Sequence, residues 1–280
     1  MRRSLLYVPG VEERKVRKAP QVGADVIIFD LEDSVPWDRK EEARGLLERI
    51  LSDTSYVESV KSEVCVRINS LSTPESFKDL ALVSRLEGVS CIVVPKAELR
   101  LDFIYRATGK TVMAIVETAR GFLRLDEVAS SEGVEALLLG VADLALDVGG
   151  SLASYESNVY VRTELVIKAK AYGLEAVDKV YFNIDDLEGL RRDAMEAKAL
   201  GYTGKQVVHP NQVPVVNEVF KPTEEELEWA RRVVEEYEKA AREGRGAVRV
   251  EGRLVDHVHY RIAKRILEHL ERAARQSRQP

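Results

Sequence analysis

Histidine and cysteine are both scarce, with four and two among 280 residues. No Cys/His group has zinc-site spacing, and two cysteines supply no disulfide framework. Cys65 and Cys91 each lie inside an apolar run, VCVRI and CIVVP, and are expected as small core residues of a cytoplasmic protein. Positive charge is not in surplus either. The net charge is −5, which argues against a general nucleic-acid binder with its usual basic stripe. No apolar run approaches the roughly 20 residues a membrane span needs. The apolar part of the N-terminal MRRSLLYVPG is about five residues long, too short for the core of a signal peptide. No P-loop is present, and no GxGxxG follows the first strand-like run. A soluble protein with no nucleic-acid or membrane partner is therefore expected.

Apolar material is plentiful. At 45% of the chain it suffices for one large core, or for a large domain and a small one. Strand-like runs recur at Ser4 to Val8, Val26 to Phe29, Val64 to Ile68, Cys91 to Val94, Val112 to Val116, Ala136 to Leu139, Glu175 to Val177 and Gln206 to Val208. Most are continuous rather than alternating in hydrophobicity, which suits parallel strands buried on both faces. Amphipathic segments separate them, at Val11 to Gln21, Arg39 to Leu51, Pro74 to Arg85, Leu99 to Thr108, Ala119 to Ala129, Val159 to Ala171 and Leu187 to Leu200. Gly173 and Gly201 sit where helix-ending glycines belong. Eight such units predict a (β/α)8 TIM barrel, with a doubly wound open sheet as the competing layout.

After His209 the pattern changes. Pro210, Pro214 and Pro222 punctuate what reads as a connector. Thr223 then opens a strong helix with a Thr-x-x-Glu capping box. A short hairpin, AVRV–EG–RLV, and a second long helical run from Val258 to Ala274 complete the chain. The expected organisation is a barrel over residues 1–221 and a C-terminal helix-hairpin-helix extension over 222–280.

Active sites of such barrels gather at the C-terminal ends of the strands. Those ends carry Asp30, Glu32, Asp33 and Ser34; then Arg67 and Asn69; Lys96 and Glu98; Glu117; Asp143; Asp178; and His209. Two carboxylates on neighbouring strand ends, Glu117 and Asp143, are how Mg²⁺ is usually held, with water and substrate oxygens completing its shell. They are equally placed to cap the following helices. Arg67 could clamp a carboxylate or neutralise an enolate oxygen, or form a structural ion pair with Glu32 or Asp33. Asp256 precedes the last helix as an N-cap would.

Together these pieces resemble the citrate lyase beta subunit and malyl-CoA lyase family, within the HpcH/HpaI aldolase superfamily. The similarity is carried by RSLLYVPG (3–10), DLEDSV (30–35), VRIN (66–69), VPKAE (94–98), ETARG (117–121), GVADLA (140–145), GYTGKQVVHPNQ (201–212) and GRLVDHVHY (252–260), in the family's order. The resemblance implies a barrel with a C-terminal extension, assembled as a homotrimer or hexamer. It implies Mg²⁺ held by Glu117 and Asp143, and Arg67 binding substrate and stabilising an enolate, supported by Glu32 and Asp33. It implies backbone amides of the GVADLA turn, Ala142 among them, receiving the carboxylate of a 2-oxo acid. Arg14, Lys15 and Lys18 would meet coenzyme A. Asp256 would reach a neighbouring subunit as general acid/base. The implied activity is cleavage or formation of a 3-hydroxyacyl-CoA such as malyl-, citramalyl- or citryl-CoA, yielding acyl-CoA and a 2-oxo acid. Two alternatives stay open: a catalytic beta subunit of a multi-subunit citrate lyase, and an acyl-CoA thioester hydrolase.

Overall fold

The computed structural model describes residues 2–276. Residues 2–220 form one compact unit, and the described residues from 221 onward form a second. The strands of the first are β1 Ser4–Pro9, β2 Val26–Asp30, β3 Glu63–Arg67, β4 Cys91–Val94, β5 Thr111–Val116, β6 Val134–Leu139, β7 Glu175–Asp178 and β8 Gly204–Val207. Each pairs in parallel with the next, and β8 closes on β1 through Ser4 and Lys205. This is a (β/α)8 barrel.

The helices around it are α1 Glu13–Lys18, α2 Lys40–Leu51, α3 Thr54–Ser59, α4 Glu75–Val83, α5 Asp102–Thr108, α6 Ala119–Leu123, α7 Leu125–Ala129, α8 Val141–Asp147, α9 Leu152–Glu156, α10 Val159–Ala171, α11 Leu187–Leu200 and α12 Gln212–Phe220. Strand parity separates two cores. Leu5, Ile28, Cys65, Cys91, Met113, Ile115, Leu138 and Val177 fill the barrel interior. Their neighbours, such as Leu6, Phe29, Val66, Ile92 and Leu137, pack outward against the helices. The N-terminal end of the barrel is closed by Arg2, whose guanidinium bonds Glu63 at 2.6 Å and Glu135 at 2.5 Å. That pairing engages both oxygens of Glu63, the carboxylate nearest the two cysteines.

The segment expected as a connector is helical. α12 tolerates its proline because Pro214 falls in the first turn, where a missing N–H costs nothing, while Pro210 precedes and Pro222 follows the helix. The expected helix over 119–129 breaks at Arg124 into α6 and α7, and that over 11–21 shortens to α1 and a 3₁₀ turn. Gly173 and Gly201 both adopt left-handed backbone, at φ 74° and 102°, as their helix-ending positions require.

The second unit comprises α13 Glu224–Arg242, β9 Ala247–Val250, β10 Arg253–Asp256 and α14 His257–Gln276. Thr223 and Glu226 complete the reciprocal capping box at the start of α13. Ala230, Val233, Val250, Val255 and Ala263 form its own small core. Among the described residues, no helix is long and apolar enough to cross a membrane.

Candidate active site

A cavity of about 400 Å³ opens at the C-terminal ends of the strands. Its lining includes Tyr7, Asp30, Asp33, Arg67, Glu117, Ala142, Asp143 and Gln206, with Val180, Phe182 and Val208 on the apolar side. The barrel thus gathers Arg67, Glu117, Ala142, Asp143 and Asp33 around one space, with Glu32 beside them. Asp256 belongs to the C-terminal unit. Its Oδ1 accepts from the Val258 and His259 amides as the cap of α14, and lies 2.7 Å from His259 Nδ1. These contacts hold its carboxyl below the usual range, His259 contributing most.

Glu117 extends the inward row of β5 beyond Met113 and Ile115 and is 4% exposed. Asp143 lies in the first turn of α8. Gly140 between them has no alternative: a Cβ there would stand 2.4 Å from Glu117 Oε2. Burial pushes the Glu117 carboxyl up to about 8, reinforced by Glu32 and then Asp143 against the pull of Lys96. The Lys96 ammonium is drawn into this concentration of acids, 3.0 Å from Glu32, 3.3 Å from Asp143 and 3.9 Å from Glu117. Burial opposes the charge on Lys96, but the three carboxylates outweigh it and raise the ammonium pKa. Lys96 holds left-handed backbone, φ 48°, and its N–H donates to Glu117 Oε1 at 2.9 Å. A bulky residue kept in that conformation is strain of the kind functional sites store.

These residues fit a hard divalent cation. Glu117 and Asp143 offer only oxygen donors, the glycine leaves room for the carboxylate, and the excess of acids already attracts an ammonium. Glu32 Oε2 is buried without a hydrogen bond, although Arg67 Nη1 stands 3.0 Å away off the bonding direction.

Arg67, the last residue of β3, is clamped bidentately by Asp30, both contacts being 2.7 Å. Asp33 accepts from Nη1 at 3.3 Å. Burial alone would raise the Asp30 carboxyl, and the Arg67 charge and hydrogen bonds bring it below the ordinary value instead. The Tyr7 ring lies 4.9 Å from the guanidinium carbon. With five N–H groups and these acceptors, Arg67 keeps at least one Nη2 N–H for another oxygen. Buried Lys40 donates to the Leu31 and Glu32 carbonyls at 2.6 Å and fixes the loop carrying these acids.

Expectations from strand ends alone missed several of these roles. Asp30, rather than Glu32 or Asp33, is the main partner of Arg67; its place two residues after inward Ile28 was the available signal. Tyr7 and Gln206 join the site as well, and Lys96, expected among the strand-end residues, meets Asp143 there. Asp178 does not: Val177 faces the barrel interior, so Asp178 faces the helix layer, where it pairs with Arg162 and Lys205. Arg120 is exposed, 4.0 Å from Glu98. Lys15 is exposed and pairs with Glu12.

Known proteins are similar to this chain in sequence and share its fold. The chain is 34% identical over 279 residues to the mitochondrial citramalyl-CoA lyase of Rattus norvegicus, covering 91% of this chain and 82% of that protein. It is 34% identical over 276 residues to the (3S)-malyl-CoA thioesterase of Cereibacter sphaeroides, covering 97% and 95%. The crystal structure of CitE from Mycobacterium tuberculosis in complex with magnesium, acetoacetate and coenzyme A superposes with a TM-score of 0.78 at 32% identity, covering 95% of this chain and 97% of that one. A family model of carbon–carbon bond lyases of the TIM-barrel fold matches residues 157–276. The model of the HpcH/HpaI aldolase/citrate lyase family matches residues 3–210, and the chain belongs to that family.

Proposed function

We propose that this protein is a magnesium-dependent carbon–carbon lyase that cleaves, or in reverse forms, a 3-hydroxyacyl-CoA such as malyl-, citramalyl- or citryl-CoA. The products of cleavage are an acyl-CoA and a 2-oxo acid. The observation that carries this reading is the meeting of Glu117 and Asp143 with the clamped Arg67 around one cavity. The magnesium, acetoacetate and coenzyme A of the M. tuberculosis CitE complex support it.

Glu117 and Asp143 hold the metal, with Glu32 and Asp33 supporting Arg67 and the water around the site. Bound magnesium supplies Lewis acidity and a template for the 2-oxo acid's oxygens. Ala142 and its neighbours in the GVADLA turn present backbone amides to the substrate carboxylate. The spare N–H of Arg67 neutralises the enolate oxygen of the acyl-CoA, an interaction strongest where charge develops. Asp256 of a neighbouring subunit takes the α-proton in condensation and returns it in cleavage, and the working form, as the family resemblance implies, is a homotrimer or a pair of trimers. Because Oδ1 serves the helix cap, Oδ2 is the oxygen available for that proton.

A second reading is thioester hydrolysis, favoured by the (3S)-malyl-CoA thioesterase relative. There the same acyl-CoA yields free CoA.

Replacing Glu117 or Asp143 by alanine is expected to abolish metal-dependent activity, a loss of at least about a hundredfold. Cleavage is assayed with and without EDTA; full activity in EDTA contradicts the metal's role.

A further inference from the structure

The lyase reading leaves unexplained a polar cross-brace inside the barrel mouth. Gln206, on β8, is 3% exposed. Its Nε2 donates to the Leu139 carbonyl at 2.8 Å and the Asp178 carbonyl at 3.2 Å, at the ends of β6 and β7. Its Oε1 accepts from the Tyr7 hydroxyl on β1 at 2.8 Å. The amide has only one workable orientation, because two carbonyl oxygens can face only its NH₂. Tyr7 in turn lies against Arg67 on β3. One glutamine therefore ties three strand ends to the ring that backs the arginine.

The brace is anchored from outside the barrel as well. The Asp178 carboxylate accepts from Lys205 at 2.6 Å and Arg162 at 2.9 Å. Asp193 joins both cations and Lys179. Asp178 and Lys205 are fully buried, and Arg162 and Lys179 are each 2% exposed. With its side chain locked into this network, Asp178 has little freedom to turn its carbonyl away from Gln206.

We propose that Tyr7 and Gln206 are positioning residues for Arg67, acting on its orientation rather than on the substrate. Asp30 fixes one edge of the guanidinium but leaves it free to tilt out of the plane; the Tyr7 ring removes that freedom, and Gln206 holds the ring. The spare Nη2 N–H of this cavity-lining guanidinium is thereby held in one orientation. A charge-stabilising donor is effective in proportion to its preorganisation, so loosening it lowers the chemical step more than substrate binding.

This inference rests on the role proposed for Arg67, and the experiment separates the two. Cleavage of (3S)-citramalyl-CoA and (3S)-malyl-CoA with magnesium is measured for wild type, Arg67→Ala, Arg67→Lys, Tyr7→Leu, Tyr7→Phe and Gln206→Met. Tyr7→Leu should lower kcat about 30-fold with KM within about twofold. Tyr7→Phe keeps the ring but frees it from Gln206, and should lose less, about threefold, as should Gln206→Met. In the Arg67→Lys background, Tyr7→Leu should add almost nothing. The NMR signal of the Arg67 Nε–H, assigned by its loss in Arg67→Ala, should broaden in Tyr7→Leu while the melting curve stays cooperative. Unchanged kcat in Tyr7→Leu, or a full additive loss on top of Arg67→Lys, overturns the positioning role. Activity surviving Arg67→Ala overturns the underlying reading instead.

Discussion

At the scale of single residues, the site is governed by an excess of buried acid. Glu117 is the clearest case, since burial and the neighbouring Glu32 and Asp143 charges move its carboxyl from 4.5 up to about 8. Between those values the folded, metal-free protein keeps a proton that the unfolded chain has lost. Glu117 therefore contributes stability fully below about pH 4.5, and that contribution disappears as pH rises through about 8. In the proposed metal site, a cation bound to ionised Glu117 would take over from the proton. Thermal melts of the metal-free protein should fall more steeply over this window than melts of Glu117→Gln, and added magnesium should stabilise wild type increasingly up to about pH 8. Parallel slopes for the two proteins would show that Glu117 titrates normally.

Secondary-structure elements explain both what the sequence revealed and what it hid. Most of the strands were visible because buried parallel strands are continuous apolar runs, and Glu117 was visible because it interrupts the chain where such a run ends, whereas Arg67 falls inside the run from Val64 to Ile68 and Asp143 four residues after Leu139. The same continuity hides which face a residue takes. Asp30 and Asp178 both terminate strands, yet Asp30 follows inward Ile28 by two positions and Asp178 follows inward Val177 by one. One joins the site and the other the outer ionic network. The left-handed turn at Lys96 carried no glycine or asparagine to announce it, and the prolines around α12 looked like breakers until their positions in the first turn and beyond the end were known. The outer network gives a test at this scale. Asp178→Asn leaves Lys205 and Arg162 buried with their charge partly uncompensated, and should destabilise the protein by about 3 kcal/mol or more. Asp126→Asn, which breaks an exposed pair with Lys168, should cost under about 1 kcal/mol. Denaturant titration of both variants checks the contrast; equal effects would mean the buried network contributes no more than a surface pair.

For the whole molecule, the proposed chemistry is divided between two compact units of one chain, with the metal and enolate functions on the barrel and the proton function on the C-terminal module. If Asp256 serves a neighbouring subunit, a site lacking Arg67 and a site lacking Asp256 can be repaired in mixed oligomers. Arg67→Ala and Asp256→Ala proteins, each inactive alone, should regain up to about a quarter of wild-type activity when co-assembled in equal amounts, since only that share of sites receives both intact residues. No recovery in verified mixed oligomers would assign Asp256 to its own chain's site or to the helix cap alone. The central claim, carbon–carbon cleavage of a 3-hydroxyacyl-CoA, is tested most directly by mass spectrometry of the products from malyl-, citramalyl- and citryl-CoA with magnesium present. The account predicts an intact acyl-CoA together with a 2-oxo acid from at least one of the three. Free CoA with the uncleaved hydroxy acid, or no turnover of any of them, would contradict it.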